Sequence, residues 1–275
     1  MAATEQDIQS GRMSRWYKKD LDVNESFREI LEKYNGIPPD QVLPHIIAVR
    51  DKAWAIHPYP CVGQGLFLEP TIPQHALYPE IVSRLKTGNE KFLDLGCAFG
   101  QDIRRLVYDG IDSANCYGSD LLPDFIDLGY ELFQDKSKLH TKFFPADIFD
   151  ETSPLSSLNS TIDIISANAF FHLFNWDMQK KASLRIVKLL KPKKDSLLVG
   201  RQLGNTNPGE QSRWTNEGTA YRHDIKSLQR FWDEVGEEVG AEFRVDGFEQ
   251  VVDGIRNKAG EPSLTWMEFS VRRVS

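Results

Sequence analysis

The stretch "KFLDLGCAFGQDIRRLVYDG", from Lys91 to Gly110, decides the fold class of this chain. An apolar run, "KFLDLG", ends at Gly96, and a second glycine follows at Gly100. An amphipathic segment begins immediately after Gly100, so the pattern predicts a strand, a tight turn and a helix. In an open parallel sheet a ligand binds beyond the carboxyl end of a strand, which makes this turn the first place to expect one.

The same alternation continues toward the end of the chain. Short apolar runs bounded by turn residues are separated by amphipathic stretches at 101–109, 122–135 and 176–191. The runs are "NCYGSD", "KFFPADIF", "IDIISANAFFHLF" and "SLLVGRQLG". Nearly continuous apolar strands separated by helices predict an α/β fold with a mostly parallel sheet and helices on both faces. The last apolar runs, "EFRVDGFEQVVDG" and "TWMEFSVRRV", are predicted to form a closing hairpin or paired edge strands.

The N-terminal third has a different pattern. Residues 1–15 are polar and are predicted to be a disordered tail. Residues 16–90 contain helical periodicity interrupted by proline and glycine, and they are predicted to form a helical cap that covers a substrate site. Residues 91–275 are predicted to form the ligand-binding domain. The cap helices either close over one active site or exchange with a neighbouring subunit in a homodimer.

Composition excludes several classes of protein. The chain has 275 residues, a formal net charge of −7 and a pI near 5.5, which argues against a nucleic-acid partner because phosphate-binding proteins usually carry a basic excess. Its three cysteines are too few and too scattered for a disulfide framework, and they have no metal-like spacing. We therefore expect no bound metal. No signal peptide or membrane span is visible, so we expect a cytoplasmic protein.

The turn residues indicate a ligand without phosphates. A dinucleotide-binding turn would carry a glycine where Ala98 stands, and no Gly-Lys-Ser/Thr of a P-loop follows. Asp94, near the end of the first strand, is placed to accept from an ammonium group, while the backbone of Gly96, Cys97 and Gly100 passes close to an amino-acid moiety. Cys97 itself is interpreted as a small turn residue rather than a nucleophile.

The ends of the next strands extend this interpretation. Asp120, with Leu121 beside it, is placed to accept both hydrogens of a ribose diol. Asp147 and Ile148 are placed to contact an adenine ring, although Asp147 could equally be a local cap. Ammonium, diol and adenine together describe S-adenosylmethionine as the cofactor. Asn168 and Ala169, at the end of the fourth strand, are expected to contact it through their backbone.

These runs, in this order, resemble the class I S-adenosylmethionine-dependent methyltransferases. The resemblance implies a Rossmann-like sheet of seven strands. With the leading "YNGIPPDQVLPHIIAVRDKAWAIHPYPCVGQ", the chain also looks like the fungal methyltransferases of meroterpenoid secondary metabolism. That narrower resemblance implies methyl-ester formation on the carboxyl group of an apolar natural product such as a farnesylated aromatic acid.

The acceptor decides whether a base is needed. A carboxylate is already ionised at neutral pH, whereas a phenol or alcohol must lose its proton, and His172 is then the first candidate base. Arginines at the strand ends or in the insert, among them Arg213 and Arg222, could hold a substrate carboxylate bidentately. The candidate substrate residues are Trp16, Tyr17 and Phe67 in the cap, Arg201 and Gln202 after the fifth strand, and Trp214 in the insert.

Other functions stay open at the level of sequence. The chain could methylate a hydroxyl group or a carbon atom of a polyketide or terpenoid. It could also be a binding or regulatory protein that keeps the methyltransferase fold without activity. A nicotinamide enzyme is disfavoured by Ala98, which replaces the glycine that a pyrophosphate would require.

Overall fold

The computed structural model describes residues 14–213, 218–252 and 263–275. The helices of the described residues are α1 (Glu25–Glu29, continued by a π-helical turn Ile30–Tyr34), α2 (Pro39–Ile56), α3 (Pro60–Gly63), α4 (Tyr78–Lys86), α5 (Gln101–Tyr108), α6 (Pro123–Phe133), α7 (Trp176–Leu189) and α8 (Ile225–Val239). The strands are β1 (Phe92–Leu95), β2 (Cys116–Asp120), β3 (Lys142–Pro145), β4 (Ile164–Ser166), β5 (Leu197–Asn205), β6 (Gly209–Ser212), β7 (Thr219–Arg222), β8 (Phe243–Val251) and β9 (Leu264–Arg273). In the described part of the chain, no helix has both the length and the apolar character needed to cross a membrane.

One sheet of seven strands organises the molecule. Its strand order is β3-β2-β1-β4-β5-β9-β8, and β6 with β7 forms a separate two-stranded sheet. Strands β1 to β5 pair in parallel, while β9 is inserted between β5 and β8 and runs antiparallel to both. The predicted Rossmann-like class I architecture, with paired strands closing the sheet, is confirmed. The order reverses between β1 and β4, where ligands bind in such folds.

Apolar side chains of the central strands pack on both faces of the sheet. Phe92 and Leu197 belong to a core that includes Ile81 of α4 and Ile103 of α5. The residues next to them in the chain, among them Leu93 and Leu198, point to the opposite face of the sheet and pack against α7 and α8. Two covered faces explain why the strands appear in the sequence as continuous apolar runs.

The N-terminal helices pack against α6 and the turn after β1. Phe27 and Val49 share a core with Phe99, Phe125 and Phe133. Helices are present where the cap was predicted, and their covering of a substrate stays a prediction. The predicted tail lies almost wholly outside the described residues, which begin with a 3-10 turn at Ser14–Trp16.

A buried ion pair fixes the turn after β1 to the end of α6. Arg104 Nε and Nη2 donate to the two carboxylate oxygens of Asp135 at 2.8 and 2.9 Å, and both side chains are almost fully buried. Arg104 Nη1 also donates to the Phe99 carbonyl at 2.7 Å. A buried ion pair is favourable only when its remaining donors are satisfied. Here the Phe99 carbonyl of the turn satisfies Arg104 Nη1.

Gly129 of α6 allows the helix to approach the same turn. A Cβ atom added at Gly129 would stand 2.4 Å from the carbonyl oxygen of Phe99. Alanine in place of glycine normally stabilises a helix by up to about 1 kcal/mol. Here we expect Gly129→Ala to destabilise the protein by about 1–3 kcal/mol, because the helix must move away from the turn. Urea unfolding followed by circular dichroism measures the change.

Gly209→Ala is the matched control for this experiment. No atom outside its immediate neighbours lies within 4 Å of an added Cβ at Gly209, and we expect a change within about 0.5 kcal/mol. Equal stability of Gly129→Ala and the wild type would show that α6 does not need this close approach.

Candidate active site

The turn after β1 is fastened to the end of β2. Gly96 has φ +75°, Ala98 has φ +47° and Gly100 has φ +69°, so the chain enters the left-handed region three times within the turn. The backbone N–H groups of Gly96 and Cys97 both donate to the Ser119 carbonyl, at 2.8 and 3.0 Å. Burial raises the pKa of the Cys97 thiol, which keeps it protonated and unsuited to nucleophilic attack.

Asp120 holds the other side of this turn. One carboxylate oxygen accepts from the Ala98 N–H at 2.8 Å, and the other accepts from the Leu122 N–H at 3.1 Å. Each carboxylate oxygen has a second lone pair, so both can still accept from a diol. Leu121, beside it, is 45% exposed and offers an apolar surface at the same strand end.

Two further carboxyl groups lie on β1 and α5, those of Asp94 and Asp102. Asp94 and Asp102 are 3% and 2% exposed. Asn168 Nδ2 donates to Asp102 at 3.1 Å and to the Ser166 hydroxyl at 2.9 Å. Ser166 lies directly opposite Asp94 in the β1–β4 pair, so Asn168 and Ser166 bring the two acids into one polar cluster. Burial raises the pKa of the Asp94 carboxyl well above its usual range, and the nearby charges of Asp102 and Asp120 add to this effect.

Asp102 also holds the C-terminal part of the cap. Its Oδ1 accepts from the backbone N–H groups of Thr71 and Ile72, at 2.7 and 3.1 Å. Burial raises the pKa of Asp102 to about 6, against these amide hydrogen bonds, which favour its charged form. Sequence reasoning missed Asp102, because an acid in the first turn of a helix is ordinarily explained by the helix dipole.

The remaining predicted cofactor residues lie at the strand ends in different environments. Asn168 Oδ1 accepts from the Arg201 N–H at 3.0 Å, and the Ala169 N–H donates to the Arg201 carbonyl at 2.7 Å. Asp147 is exposed and accepts from the Phe149 N–H at 2.9 Å, which is the local turn contact considered as its alternative role. Ile148 is buried in the core beneath α7. Their contact with adenine stays a prediction.

His172 lies in the 3-10 turn Phe171–Leu173 after β4. Its Nδ1 accepts from the Leu203 N–H at 3.2 Å, so the neutral ring carries its proton on Nε2. Burial lowers the pKa of His172 to about 3, and the positive charges of Arg222 and Arg213 act in the same direction. The ring is therefore a neutral N–H donor across the physiological range.

The β6–β7 hairpin brings these two arginines to His172. Arg213 donates to the Leu173 carbonyl at 2.6 Å, and the Tyr221 N–H donates to the Phe174 carbonyl at 2.9 Å. Gln179 of α7 bridges the carbonyls of Phe174 and Tyr221 from below, at 3.0 and 2.9 Å. Arg222 is 5% exposed, and burial lowers its pKa to about 10, so it stays a cation near neutral pH.

The structure separates the predicted substrate residues. Phe67 is buried in the cap core, where its ring contacts that of Phe99. Tyr17 lines an open groove of about 440 Å³ with Lys19, Asp51 and Trp54, and Trp16 precedes it in the 3-10 turn.

Arg201 and Gln202 occupy successive positions of β5 and point to opposite faces of the sheet. Arg201 stacks over the Trp266 ring at 4.8 Å, whereas Gln202 is buried. They therefore cannot both line one pocket on the same face. Trp214 lies outside the described residues.

The chain is similar in sequence to known methyltransferases. Residues 16–68 match the family model of the meroterpenoid methyltransferase N-terminal domain, and residues 92–193 match that of a methyltransferase domain. O-methyltransferase phiE of Fungal sp. (strain ATCC 74256) is 43% identical over 94% of this chain and 90% of its own length. O-methyltransferase atr3 of Stereocaulon alpinum is 44% identical over 84% of this chain and 68% of its own length, and methyltransferase adrK of Penicillium rubens is 41% identical over 91% and 90%.

Fold and relatives together define an S-adenosylmethionine-dependent methyltransferase of class I. Within that class, the chain belongs to the family of fungal secondary-metabolite O-methyltransferases that includes phiE and atr3. The residues at the strand ends fit the cofactor: Asp94 is a buried carboxylate suited to an ammonium group, Asp120 keeps lone pairs for a diol, and Gly96 leaves the backbone open.

We expect Asp120→Asn to weaken binding of S-adenosylhomocysteine by about tenfold to a hundredfold. An amide has one acceptor oxygen in place of two, so one of the two hydrogen bonds to Ala98 and Leu122 is lost together with one of the acceptors for the diol. Calorimetric titration measures the affinity. Asp127→Asn, the same change on the exposed side of α6, is the control and should bind like the wild type. Unaltered affinity of Asp120→Asn would remove Asp120 from the cofactor site.

Proposed function

We propose that this chain is an O-methyltransferase that converts a carboxyl group of an apolar natural product into its methyl ester. Bound S-adenosylmethionine supplies an electrophilic methyl group on a sulfonium centre. The chain must hold the acceptor oxygen in line with that group and exclude water. Orientation of this kind contributes on the order of 7–11 kcal/mol in well-aligned models.

The state of His172 is the observation that carries the proposal. Its Nδ1 is occupied by the Leu203 N–H, and its pKa is lowered to about 3. A base that serves near pH 7 needs a pKa near the working pH and a free lone pair. His172 has neither, so it is unsuited to deprotonate an acceptor, and this favours an acceptor that arrives already ionised, as a carboxylate does. His172 is left with its Nε2–H, which suits it to donate a hydrogen bond to the acceptor.

The positive charges around His172 favour an anionic acceptor. Arg222 is buried, and Arg213 is held by the Leu173 carbonyl, so the charges of both are fixed beside the strand ends. A guanidinium in a site of low dielectric binds a carboxylate more strongly than it does in water. Arg222 is proposed as the main partner of the carboxylate because its burial leaves it the less hydrated of the two.

The cap is proposed to bind the apolar body of the acceptor. Residues 16–68 match a domain found in meroterpenoid methyltransferases, which supports a terpenoid-bearing acid as the acceptor class. Residues 16–90 then act as the lid over residues 91–275. Tyr17 and Trp54 pack together at 5.5 Å between ring centres and supply an aromatic wall outside the buried cap core.

We expect His172→Asn to keep methyl transfer within about threefold of the wild type and to leave its pH profile unchanged. Asparagine Oδ1 can still accept from the Leu203 N–H, but it cannot take up a proton. Removal of a general base would instead cost about 10²–10⁴ in rate. Transfer of a labelled methyl group to a farnesylated aromatic acid measures the rate. His140→Asn, on an exposed histidine, is the matched control.

The product identifies the methylated atom. An acceptor that carries both a carboxyl and a phenolic hydroxyl group offers the enzyme a choice. We expect label that mild alkali releases as methanol, as from an ester. Alkali-stable label combined with a large loss in His172→Asn would replace the proposal by hydroxyl methylation.

We expect Arg222→Gln to raise the KM for the acid acceptor by about tenfold or more, with little change in affinity for S-adenosylhomocysteine. The guanidinium is proposed to contact the acceptor and not the cofactor. Steady-state kinetics and calorimetry separate the two effects. Arg230→Gln, on an exposed arginine of α8, is the control. A loss of cofactor affinity with an unchanged acceptor KM would show that Arg222 serves the cofactor and not the acceptor.

A further inference from the structure

Hydrogen-bond donors are distributed unequally between Asp94 and Asp102. Asp102 accepts from three N–H groups, which come from Thr71, Ile72 and Asn168. Asp94 has one hydroxyl group, that of Ser166, opposite it in the β1–β4 pair. Donors stabilise the ionised form of a carboxylate, so the negative charge of the pair belongs on Asp102.

The surroundings of the pair contain acids and neutral groups. Asp120 faces Asp94 from β2, and the thiols of Cys97 and Cys116 face it from the turn and from β2; burial raises the pKa of both thiols, so they are neutral. Arg104, the nearby cation on α5, is occupied by Asp135. Within the described residues, neither acid of the pair has an ion-pair partner. Two buried carboxylates that repel each other do not readily ionise together without a cation.

We propose that Asp94 and Asp102 share one proton in the cofactor-free protein, and that the ammonium group of the cofactor takes the place of this proton. The Asp94 carboxyl loses its proton to the solvent as it accepts from the ammonium group, so one positive charge replaces another at the same place. Asp102 contacts the cofactor only through this pair and is a positioning residue. The inference rests on cofactor binding at the β1 turn and is independent of which acceptor atom is methylated.

Proton linkage gives this exchange a measurable sign. The free pair holds a proton that the complex lacks, so affinity for the cofactor rises with pH until the free pair is fully ionised. We expect the Kd of S-adenosylhomocysteine to fall by up to about tenfold per pH unit between pH 6.0 and 7.5. Isothermal titration in phosphate and in Tris, whose ionisation enthalpies differ, should show release of about one proton per molecule bound.

5′-Methylthioadenosine is the matched ligand control because it keeps the adenine, ribose and sulfur but lacks the ammonium group. We expect it to bind without proton release. Equal release with both ligands would move the titrating group to Asp120, which faces the ribose, and would overturn the proposal. No release with S-adenosylhomocysteine would overturn it as well.

Two variants of the chain test the pair itself. Asp94→Asn imitates the protonated acid, keeps an acceptor for Ser166, and should bind S-adenosylhomocysteine at least about tenfold more weakly, with no proton release and unchanged affinity for 5′-methylthioadenosine. Asp102→Asn removes a charge that adds to burial in holding the proton on Asp94, so its proton release at a given pH should decrease and the rise of affinity with pH should move to lower pH.

The proton count separates this role from a structural one. A purely structural defect in Asp102→Asn would lower affinity for both ligands without changing the number of protons released. Proton release that persists undiminished in Asp94→Asn would contradict the assignment. Because the wild-type comparison of the two ligands needs no variant, the proposal stays testable even if one of them folds poorly. No acceptor takes part in these titrations, so their failure is distinct from failure of ester formation.

Discussion

A single buried carboxylate, that of Asp102, joins the parts of the molecule that must meet for methyl transfer. It accepts from the C-terminal part of the cap, at Thr71 and Ile72, and from Asn168 after β4. Asn168 in turn accepts from the N–H of Arg201 on β5. Hydrogen bonds to a charged group each contribute about 1.5–3 kcal/mol, and a buried charge without them would be strongly unfavourable. Movement of any one of these segments alone would therefore leave the carboxylate partly unsatisfied, so cap, cofactor turn and acceptor side hold one common arrangement.

Sequence alone predicted the fold in most of its features, because each depends on local periodicity. Continuous apolar runs predict the parallel strands, and the ends of these strands are the basis on which Asp94 and Asp120 are predicted as cofactor residues. The two-residue repeat of a strand also implies that Arg201 and Gln202 point in opposite directions. Asp102 was different, because its role depends on contacts with residues 31 and 66 positions away, which no local pattern reports. The same holds for Arg104 and Asp135, which appear in the sequence as surface charges and form a buried pair.

The β6–β7 hairpin shows how one cluster of charges has two consequences. Gln179 and the Tyr221 backbone hold the hairpin against the turn that carries His172, and this brings Arg213 and Arg222 beside the imidazole. Burial lowers the pKa of His172, and these positive charges add to that effect. The same charges would attract the proposed anionic acceptor, which needs no base. The lack of a working base and the proposed preference for an acid therefore share one electrostatic cause, the two arginines.

The two ends of the site carry opposite charge, and this arrangement suits the proposed reaction. Three acids, Asp94 on β1, Asp102 on α5 and Asp120 on β2, lie where the cationic amino-acid part of the cofactor is proposed to bind. Two cations, Arg213 and Arg222, lie beside His172, where the acceptor is proposed to bind. Fixed charges of this kind orient a positive donor and a negative acceptor toward each other before they react. Methyl transfer between them disperses both charges, so a site that excludes water favours the transition state over the separate, well-hydrated ions. The cap is the element that can exclude water. Asp102 binds its residues Thr71 and Ile72 through the same carboxylate that interacts with Asp94 at the proposed cofactor site. A closed cap and an ordered cofactor site therefore support each other.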